Sequence, residues 1–295
     1  MGIALRLSPR DVQKMNYIFV PTRERRPGSA TMQRSVKTAP RGQPATEPTM
    51  QGPFIHPLWS ELAGRASLTL SPEQHARLTQ YLDLLLDANA RRMNLTRITD
   101  RSAAEILHIA DALTLLPFLP AGRFCLADVG SGGGVPGIPL AIARPEAQVL
   151  LIESTKKKAA FLRDAAHELG LHNVQVADAR AEEVARTDRR ESFDVVAARA
   201  VGQLAWLAEW CLPLARRGGK VLAMKGARVA DELHAAAETI RLLGGGKPVV
   251  HPVALPGAEH HVIVEIPKIA STDPRFPRDP TTTAGRPLGQ RDAAG

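Results

Sequence analysis

The chain has 295 residues, 44% of them hydrophobic and 4% aromatic, with two cysteines and a formal net charge of +8. That composition supplies a core for one large or two modest domains and leaves Cys125 and Cys211 without a metal-ligand spacing or a disulfide framework. With no run of about 18 apolar residues and no compact apolar leader, no membrane span is expected, and a reduced cytoplasmic compartment is the natural reading. The charge is unevenly placed: residues 1–50 carry nine Lys/Arg against three Asp/Glu, residues 271–295 four against three, and residues 51–270 twenty-five against twenty-four. The globular part is nearly neutral, so any RNA binding must rest on local patches.

In chain order, residues 1–56 read as a disordered basic extension, rich in Arg, Thr, Pro, Ser and Gln. Met15, Met32 and Met50 are alternative starts. A chain beginning at Met50 is expected to keep its thermal midpoint and its ligand affinity. It is also expected to show the same salt dependence of any polyanion binding as the full chain, which a titration of both forms against ionic strength checks.

Residues 57–120 read as a small helical lobe. One helix starts at Ser71-Pro72-Glu73, with serine as N-cap and proline in the first turn, and carries Leu78, Leu82, Leu85 and Leu86 on one face. A second runs from about Ser102 to a stop at Pro117. Residues 121–270 then alternate short apolar runs with helical segments: "FCLADV", "AQVLLIE", "NVQVAD", "FDVVAAR" and "GKVLAMKG", with helices such as "TKKKAAFLRDAAHELG" and "AWLAEWCLPLARRGG" between them. That alternation predicts a mostly parallel sheet covered on both faces. The last runs, "PVVHPVAL" and "HHVIVEI", have no clear helix between them and are expected to close it as an antiparallel edge hairpin. Residues 271–295 again read as a disordered tail.

The most informative stretch is "LADVGSGGGVPGIPL", Leu126 to Leu140, with five glycines between Gly130 and Gly137. A glycine loop that leaves a parallel strand and opens a helix lies at the sheet edge where doubly wound folds bind ligands. A Walker loop requires Lys-Ser/Thr after the last glycine, and Ile138-Pro139 stands there. Gly132, Gly134 and Gly137 spell a dinucleotide fingerprint, whereas Asp128, Gly130, Gly132 and Gly134 spell the D-x-G-x-G-x-G loop of S-adenosylmethionine-dependent methyltransferases. The second register fits better: Asp128 closes the strand, suits a ligand with an ammonium group, and would repel a pyrophosphate. Glu153, ending the next strand, is placed to accept two ribose hydroxyls, a device shared by both nucleotide classes. Asp178 and the Arg180–Glu183 stretch offer a carboxylate, Glu182 among them, to an adenine amino group.

The fourth strand ends in Ala198-Arg199-Ala200-Val201, without the Asn/Asp-Pro-Pro-Tyr-like tetrad of amino methyltransferases. Cys125 and Cys211 sit in core segments, which suits structural residues better than a carbon-5 thiolate nucleophile. Arg199 suits a phosphate or a guanine edge, with a structural ion pair as the alternative. Candidate phosphate contacts are Lys156 to Lys158, Arg189-Arg190 and Arg216-Arg217, and Lys225 and His261 are rim candidates.

Together "MNLTRITD", "ILHIADAL", "DVGSGGGVPGIPLAI", "KKAAFL", "VVAARAV", "MKG" and "HHVIVEIPK" resemble, in order, the GidB/RsmG methyltransferases, which modify N7 of one guanosine in small-subunit ribosomal RNA. The resemblance spans about Leu70 to Lys268. It implies a class I S-adenosylmethionine-dependent methyltransferase domain, Rossmann-like, preceded by the helical lobe. It also implies S-adenosyl-L-methionine as cofactor, with contacts at Gly130, Val135, Glu153, Ser154, Thr155, Ala181, Glu182 and Arg199. The implied partner is small-subunit ribosomal RNA or its assembling particle. From the residues themselves, Lys156 and Lys157 are foremost among the expected RNA contacts because they follow the ribose carboxylate, and no metal and a monomeric working form are expected. The family commonly has Arg-His where this chain has Leu107-His108 and again where it has His260-His261. Guanine N7 carries a free lone pair, so no general base is required, and Arg199 is the expected positioning residue. A NAD-dependent oxidoreductase is the competing reading, distinguished by whether S-adenosylhomocysteine or NADH binds. A non-enzymatic RNA-binding module fits less well with a near-neutral core.

Overall fold

The computed structural model describes residues 54–200, 202–226, 228–279 and 287–288. Most of the basic extension and the end of the tail lie outside the described residues. Helix α1 (Pro57–Arg65) begins at a proline, and α2 (Pro72–Ala88) begins with a full capping box. Ser71 Oγ accepts the Gln74 N–H at 3.2 Å while Gln74 Oε1 accepts the Ser71 N–H at 2.8 Å. Leu78, Leu82 and Leu85 are buried as the spacing requires, together with Tyr81, while Leu86 is half-buried.

The second helix is less regular than its sequence predicts. It divides into α3 (Arg101–Ala104), a π-helical turn (Glu105–Ala110) and α4 (Asp111–Leu113), followed by a 3-10 turn at Leu116–Phe118. The widened turn begins where Trp59 Nε1 donates to the Glu105 carbonyl at 3.1 Å, and it ends with His108 and Asp111 buried. Such π-turns are a recurrent feature of functional sites.

The sheet has the order β3-β2-β1-β4-β5-β7-β6. Strands β1 (Cys125–Val129), β2 (Gln148–Ile152), β3 (Val174–Ala177), β4 (Phe193–Arg199) and β5 (Ala215–Lys225) are parallel. β7 (Val262–Pro267) lies antiparallel between β5 and the edge strand β6 (Val249–Pro252). The crossovers are α5 (Gly137–Ala143), α6 (Lys156–Glu168), α7 (Ala181–Val184), α8 (Leu204–Cys211) and α9 (Val229–Leu242). This is the expected class I methyltransferase fold, with its order reversing between β1 and β4.

One helix is shorter than expected. The run "AWLAEWCLPLARRGG" stops being helical at Cys211, because Pro213 cannot continue a helix, and β5 starts at Ala215 opposite Phe193. A Cβ at Gly219 would stand 2.7 Å from the Asp194 carbonyl, so that glycine permits the bulged start of the strand.

Alternate residues of each strand feed two cores. Leu126, Leu151 and Ala197 face α2, α5 and α6, and this core is continuous with Trp59, Leu62 and Leu82 of the helical lobe. Ala127, Ile152 and Ala198 face the other way, against Leu204, Leu207 and Ile240 of α8 and α9. The tail also differs from its sequence reading. Residues 271–279 dock on the domain, with Thr272 buried and Phe276 packed against the second core, so this part of the expected disordered tail is ordered. The signal was masked because the anchors are arginines binding main-chain carbonyls, which leave no apolar periodicity.

Candidate functional site

The glycine loop is fixed from three sides. Gly130 N–H and Ser131 N–H donate to the Ile152 carbonyl at 2.9 and 3.1 Å, tying the loop across the end of β2. Gly132 N–H donates to Glu153 Oε2 at 2.9 Å. From the helical lobe, the buried Tyr81 hydroxyl donates to the Gly133 carbonyl at 2.7 Å, and burial pushes its pKa up. Gly130 has φ +70°, a left-handed conformation that a branched side chain resists. At Gly137 the requirement is space: a Cβ there would overlap Leu151 Cδ2 and stand 2.7 Å from Asp128 Oδ2.

Two cavities meet at this loop, and Gly130 lines both. The smaller, about 160 Å³, is walled by Glu153, Ser154, Ala181, Glu182 and Trp210. The larger, about 880 Å³, is walled by the loop residues Gly132 and Val135, by Arg97 and Lys158, and by His108 and Arg199. Of the residues expected together at the cofactor, the structure places Gly130, Glu153, Ser154, Ala181 and Glu182 around the smaller cavity and Gly132, Val135 and Arg199 around the larger. Glu153 Oε1 accepts the Thr155 N–H at 2.7 Å, which draws β2 into α6 and orients the carboxylate. Thr155 contributes that N–H as an exposed N-cap, and Gly134, at φ +101°, is packed inside the loop against Ile138.

Asp128 is turned away from the role expected of it. Its side chain is fully buried, lines neither cavity, and accepts the Gly137 N–H on Oδ2 at 3.0 Å, while Oδ1 has no hydrogen-bond partner. The carboxylate shapes the loop and the start of α5 from beneath. Asp178 is likewise outside the cavities, 3.8 Å from the Arg163 guanidinium.

Arg199 sits at the centre of a polar chain drawn from four distant segments. Its Nη1 lies 3.3 Å from Asp111 Oδ2, and its Nη2 donates to His108 Nδ1 at 3.3 Å. Asp111 Oδ1 is 3.2 Å from His261 Nδ1, and His108 Nε2 is 2.9 Å from Thr96 Oγ1. "MNLTRITD", "ILHIADAL", "VVAARAV" and "HHVIVEIPK" thus converge on one wall. The hydrogen bond to Asp111 raises the His261 pKa. Burial, then the Arg199 charge, hold His108 down to about 4, so its ring is neutral at pH 7.

The remaining cationic candidates divide. Lys156 and Lys157 are exposed on the first turn of α6 and line neither cavity, whereas Lys158 does line the larger one. Lys225 is committed to the fold, with Nζ 2.6 Å from Glu232 Oε2 and 2.8 Å from the Gly202 carbonyl. Arg190 and Arg216 are also engaged internally, on tail carbonyls and on Asp194. Burial raises the Cys211 thiol pKa, in keeping with a structural role. Among the described residues no group of His, Cys, Asp or Glu is arranged to hold a metal ion. Sequence reasoning missed Trp210, Arg97, Thr96, His108 and Asp111 as site residues. The one usable signal was the pair Trp206 and Trp210, four apart on α8, in a chain with three tryptophans.

Two buried groups here oppose each other with pH. Burial pushes Asp128 up to about 7 from an ordinary 3.8, so the stability it confers is full below about 3.8 and is lost as pH rises through 7. His108 is shifted from 6.5 to about 4, so its contribution is full above 6.5 and is lost as pH falls through 4. The slopes offset one another between pH 4 and 6.5. In Asp128→Asn, unfolding free energy from urea titrations should rise by roughly 2 kcal/mol from pH 4.5 to 6.5, and in His108→Gln it should fall by a similar amount. Parallel profiles for both variants and the unmodified chain would contradict these shifts.

Comparison with known proteins matches residues 74–262 to the family model described as rRNA small subunit methyltransferase G, GidB. A protein of Roseiflexus sp. (strain RS-1) is 45% identical over 222 residues, which is 75% of this chain and 94% of that protein. One of Moorella thermoacetica is 42% identical over 226 residues, 75% of this chain and 93% of its own length. One of Lactobacillus delbrueckii subsp. bulgaricus is 38% identical over 236 residues, 78% and 98%. All three carry the name ribosomal RNA small subunit methyltransferase G.

Proposed function

The chain belongs to the rRNA small subunit methyltransferase G (GidB) family, and we infer from this premise that it transfers a methyl group from S-adenosylmethionine to N7 of a guanosine in 16S ribosomal RNA. The observation that carries the reading at the level of residues is the shared Gly130: a smaller and a larger cavity meet at a single backbone position. We assign the smaller cavity to the cofactor's nucleoside. Glu153 is placed there to accept ribose hydroxyls, Glu182 faces the same space, and Trp210 offers an aromatic wall for a purine. We assign the larger cavity to the target guanosine, with Arg199 on its wall to orient the base and Arg97 and Lys158 at its sides to meet phosphates.

Held by Glu153, Glu182 and Trp210, the cofactor would supply an electrophilic sulfonium methyl for attack by N7, with the neutral thioether S-adenosylhomocysteine as the leaving group. The protein's share is positioning, since the N7 lone pair is available at neutral pH, and orientation of this kind contributes up to about 7–11 kcal/mol. His108 supports it as a neutral ring accepting from Arg199, and Asp111 balances the guanidinium charge. The residues fit the cofactor without Asp128, whose buried carboxylate preorganises the loop instead. The two unpaired thiols, Cys125 and Cys211, agree with a reduced cytoplasmic setting, and no helix among the described residues is long and apolar enough to cross a membrane. A near-neutral core favours pre-shaped RNA, on an assembling particle, over a bare strand. We take the protein to act as a monomer, which light scattering checks. The decisive experiment is mass mapping of modified nucleosides in small-subunit ribosomal RNA from a deletion strain, with and without the restored gene. Loss and recovery of a single 7-methylguanosine is the expected result.

The ribose assignment has its own test. Glu153→Ala removes the charged acceptor and also releases the Gly132 and Thr155 N–H groups, a loss of about 1.5–3 kcal/mol in binding. S-adenosylmethionine and S-adenosylhomocysteine should weaken by the same factor in calorimetry, since they share the ribose. Weakening of the sulfonium form alone would place Glu153 near the charge instead.

A further inference from the structure

The docked segment 271–279 lies beyond residues 74–262, the span matched to the family model, and the reaction described above gives it no task. Its anchoring is dense. Arg190 donates from Nη1 to the Phe276 carbonyl at 2.7 Å and from Nη2 to the Thr272 and Asp273 carbonyls at 2.8 and 3.1 Å. Arg186 Nη2 donates to the Pro277 carbonyl at 2.9 Å. At its root, the buried Lys268 ammonium donates to the Leu243 carbonyl at 2.8 Å and lies 3.2 Å from Glu191 Oε1, which accepts the Thr272 N–H at 2.6 Å.

The far end grips α8. Arg278 N–H and Nε donate to Glu209 Oε1 at 3.0 and 2.8 Å, and Nη2 donates to Oε2 at 2.7 Å. Glu209 is 2% exposed, so this is a buried bidentate pair on the helix that carries Trp210. The same guanidinium lies 5.7 Å from the centre of the Trp206 ring, which stacks on Trp210 at 5.9 Å and 20°. Trp210 is one wall of the nucleoside cavity; Ala181 and Glu182 of α7 are another. Arg186 and Arg190 follow α7 directly in the chain. The segment therefore ties together two elements that both contribute lining residues to that cavity, without lining it itself.

We propose that Ser271–Asp279 is a strap that positions the aromatic wall of the nucleoside cavity, with Arg278 as a positioning residue acting through Glu209 and the Trp206–Trp210 stack. The inference rests on the assignment of that cavity to the cofactor's nucleoside. Its consequence is a dependence of cofactor affinity on a segment that does not itself line the cavity. Because coupling between two sites is reciprocal, a ligand in the cavity must also tighten the docking of the strap.

The test uses the full chain. The double variant Glu209→Gln/Arg278→Ala removes the pair without leaving a buried charge, and Arg278→Lys restores a cation. S-adenosylhomocysteine should bind the double variant roughly three- to tenfold more weakly, with the Lys variant in between. The KM for S-adenosylmethionine should rise by the same factor, with kcat at saturation within about twofold of the unmodified enzyme. Independently of any variant, S-adenosylhomocysteine should slow amide hydrogen exchange within residues 271–279 of the unmodified protein. That measurement stands even if the double variant does not fold. Unchanged affinity in a folded double variant, or exchange in the strap that ignores the ligand, overturns the proposal. Failure of the unmodified protein to bind S-adenosylhomocysteine overturns the cavity assignment instead, so the two outcomes are separable.

Discussion

Gly130→Val is expected to weaken S-adenosylhomocysteine binding at least tenfold, about 1.4 kcal/mol, and to abolish detectable methyl transfer. The residue sits at φ +70°, where a β-branched side chain costs of order 1–3 kcal/mol in the backbone alone. It also lines both cavities, so an isopropyl group intrudes on the nucleoside and on the approach of the target base together. Gly122→Val separates strain from obstruction. Gly122 has φ +68° and nothing within 4 Å of a built Cβ, and it lies in the turn before β1. That variant should lose stability with little change in affinity. Calorimetry and thermal unfolding of both variants make the comparison, and a folded Gly130→Val protein with native affinity would remove the loop from the site.

The second large effect is expected at Arg199. Arg199→Ala leaves the buried Asp111 without its guanidinium partner, a loss of about 3 kcal/mol in stability. Arg199→Lys is the sharper variant, because it keeps a charge for Asp111 but loses the planar fork that reaches His108 as well. Methylation of small-subunit ribosomal RNA should fall by roughly 100-fold in that variant, the scale of a displacement of about 1 Å at the reacting centre. S-adenosylhomocysteine affinity should stay within about threefold, since Arg199 lines the larger cavity and not the smaller. Affinity falling in step with activity would instead move Arg199 to the cofactor.

These two positions show where legibility ends. Gly130 was readable because its requirement is local: a strand, a stop, and a backbone that must turn at once. The strands of the sheet were readable for the same reason, through their length and their punctuation by glycine and proline. Glu153 followed from its register at the end of β2. Arg199 was readable only as a cation at a strand end. Its partners Asp111 and His108 come from the helical lobe, 88 and 91 positions away in the chain, and no spacing rule joins them. Asp128 shows the opposite limit. Its place at the end of β1 was readable, but the pleat does not fix which donor a side chain meets, and Asp128 Oδ2 accepts the Gly137 N–H from beneath the loop.

Sequence by itself determined the order of strands and helices, the antiparallel close of the sheet, the glycine loop and the carboxylate beside it, since each follows from short-range periodicity and turn chemistry. Tertiary structure alone decided three things. It assembled Thr96, His108, Asp111, Arg199 and His261 into one polar wall, and it brought Trp210 into the lining of the same cavity as Glu182. It also docked residues 271–279 on the domain through Arg186, Arg190 and Glu209. The physical reason is common to all three. Charged and aromatic side chains are satisfied by partners that chain collapse brings near, and a guanidinium bound to a main-chain carbonyl leaves no pattern along the sequence.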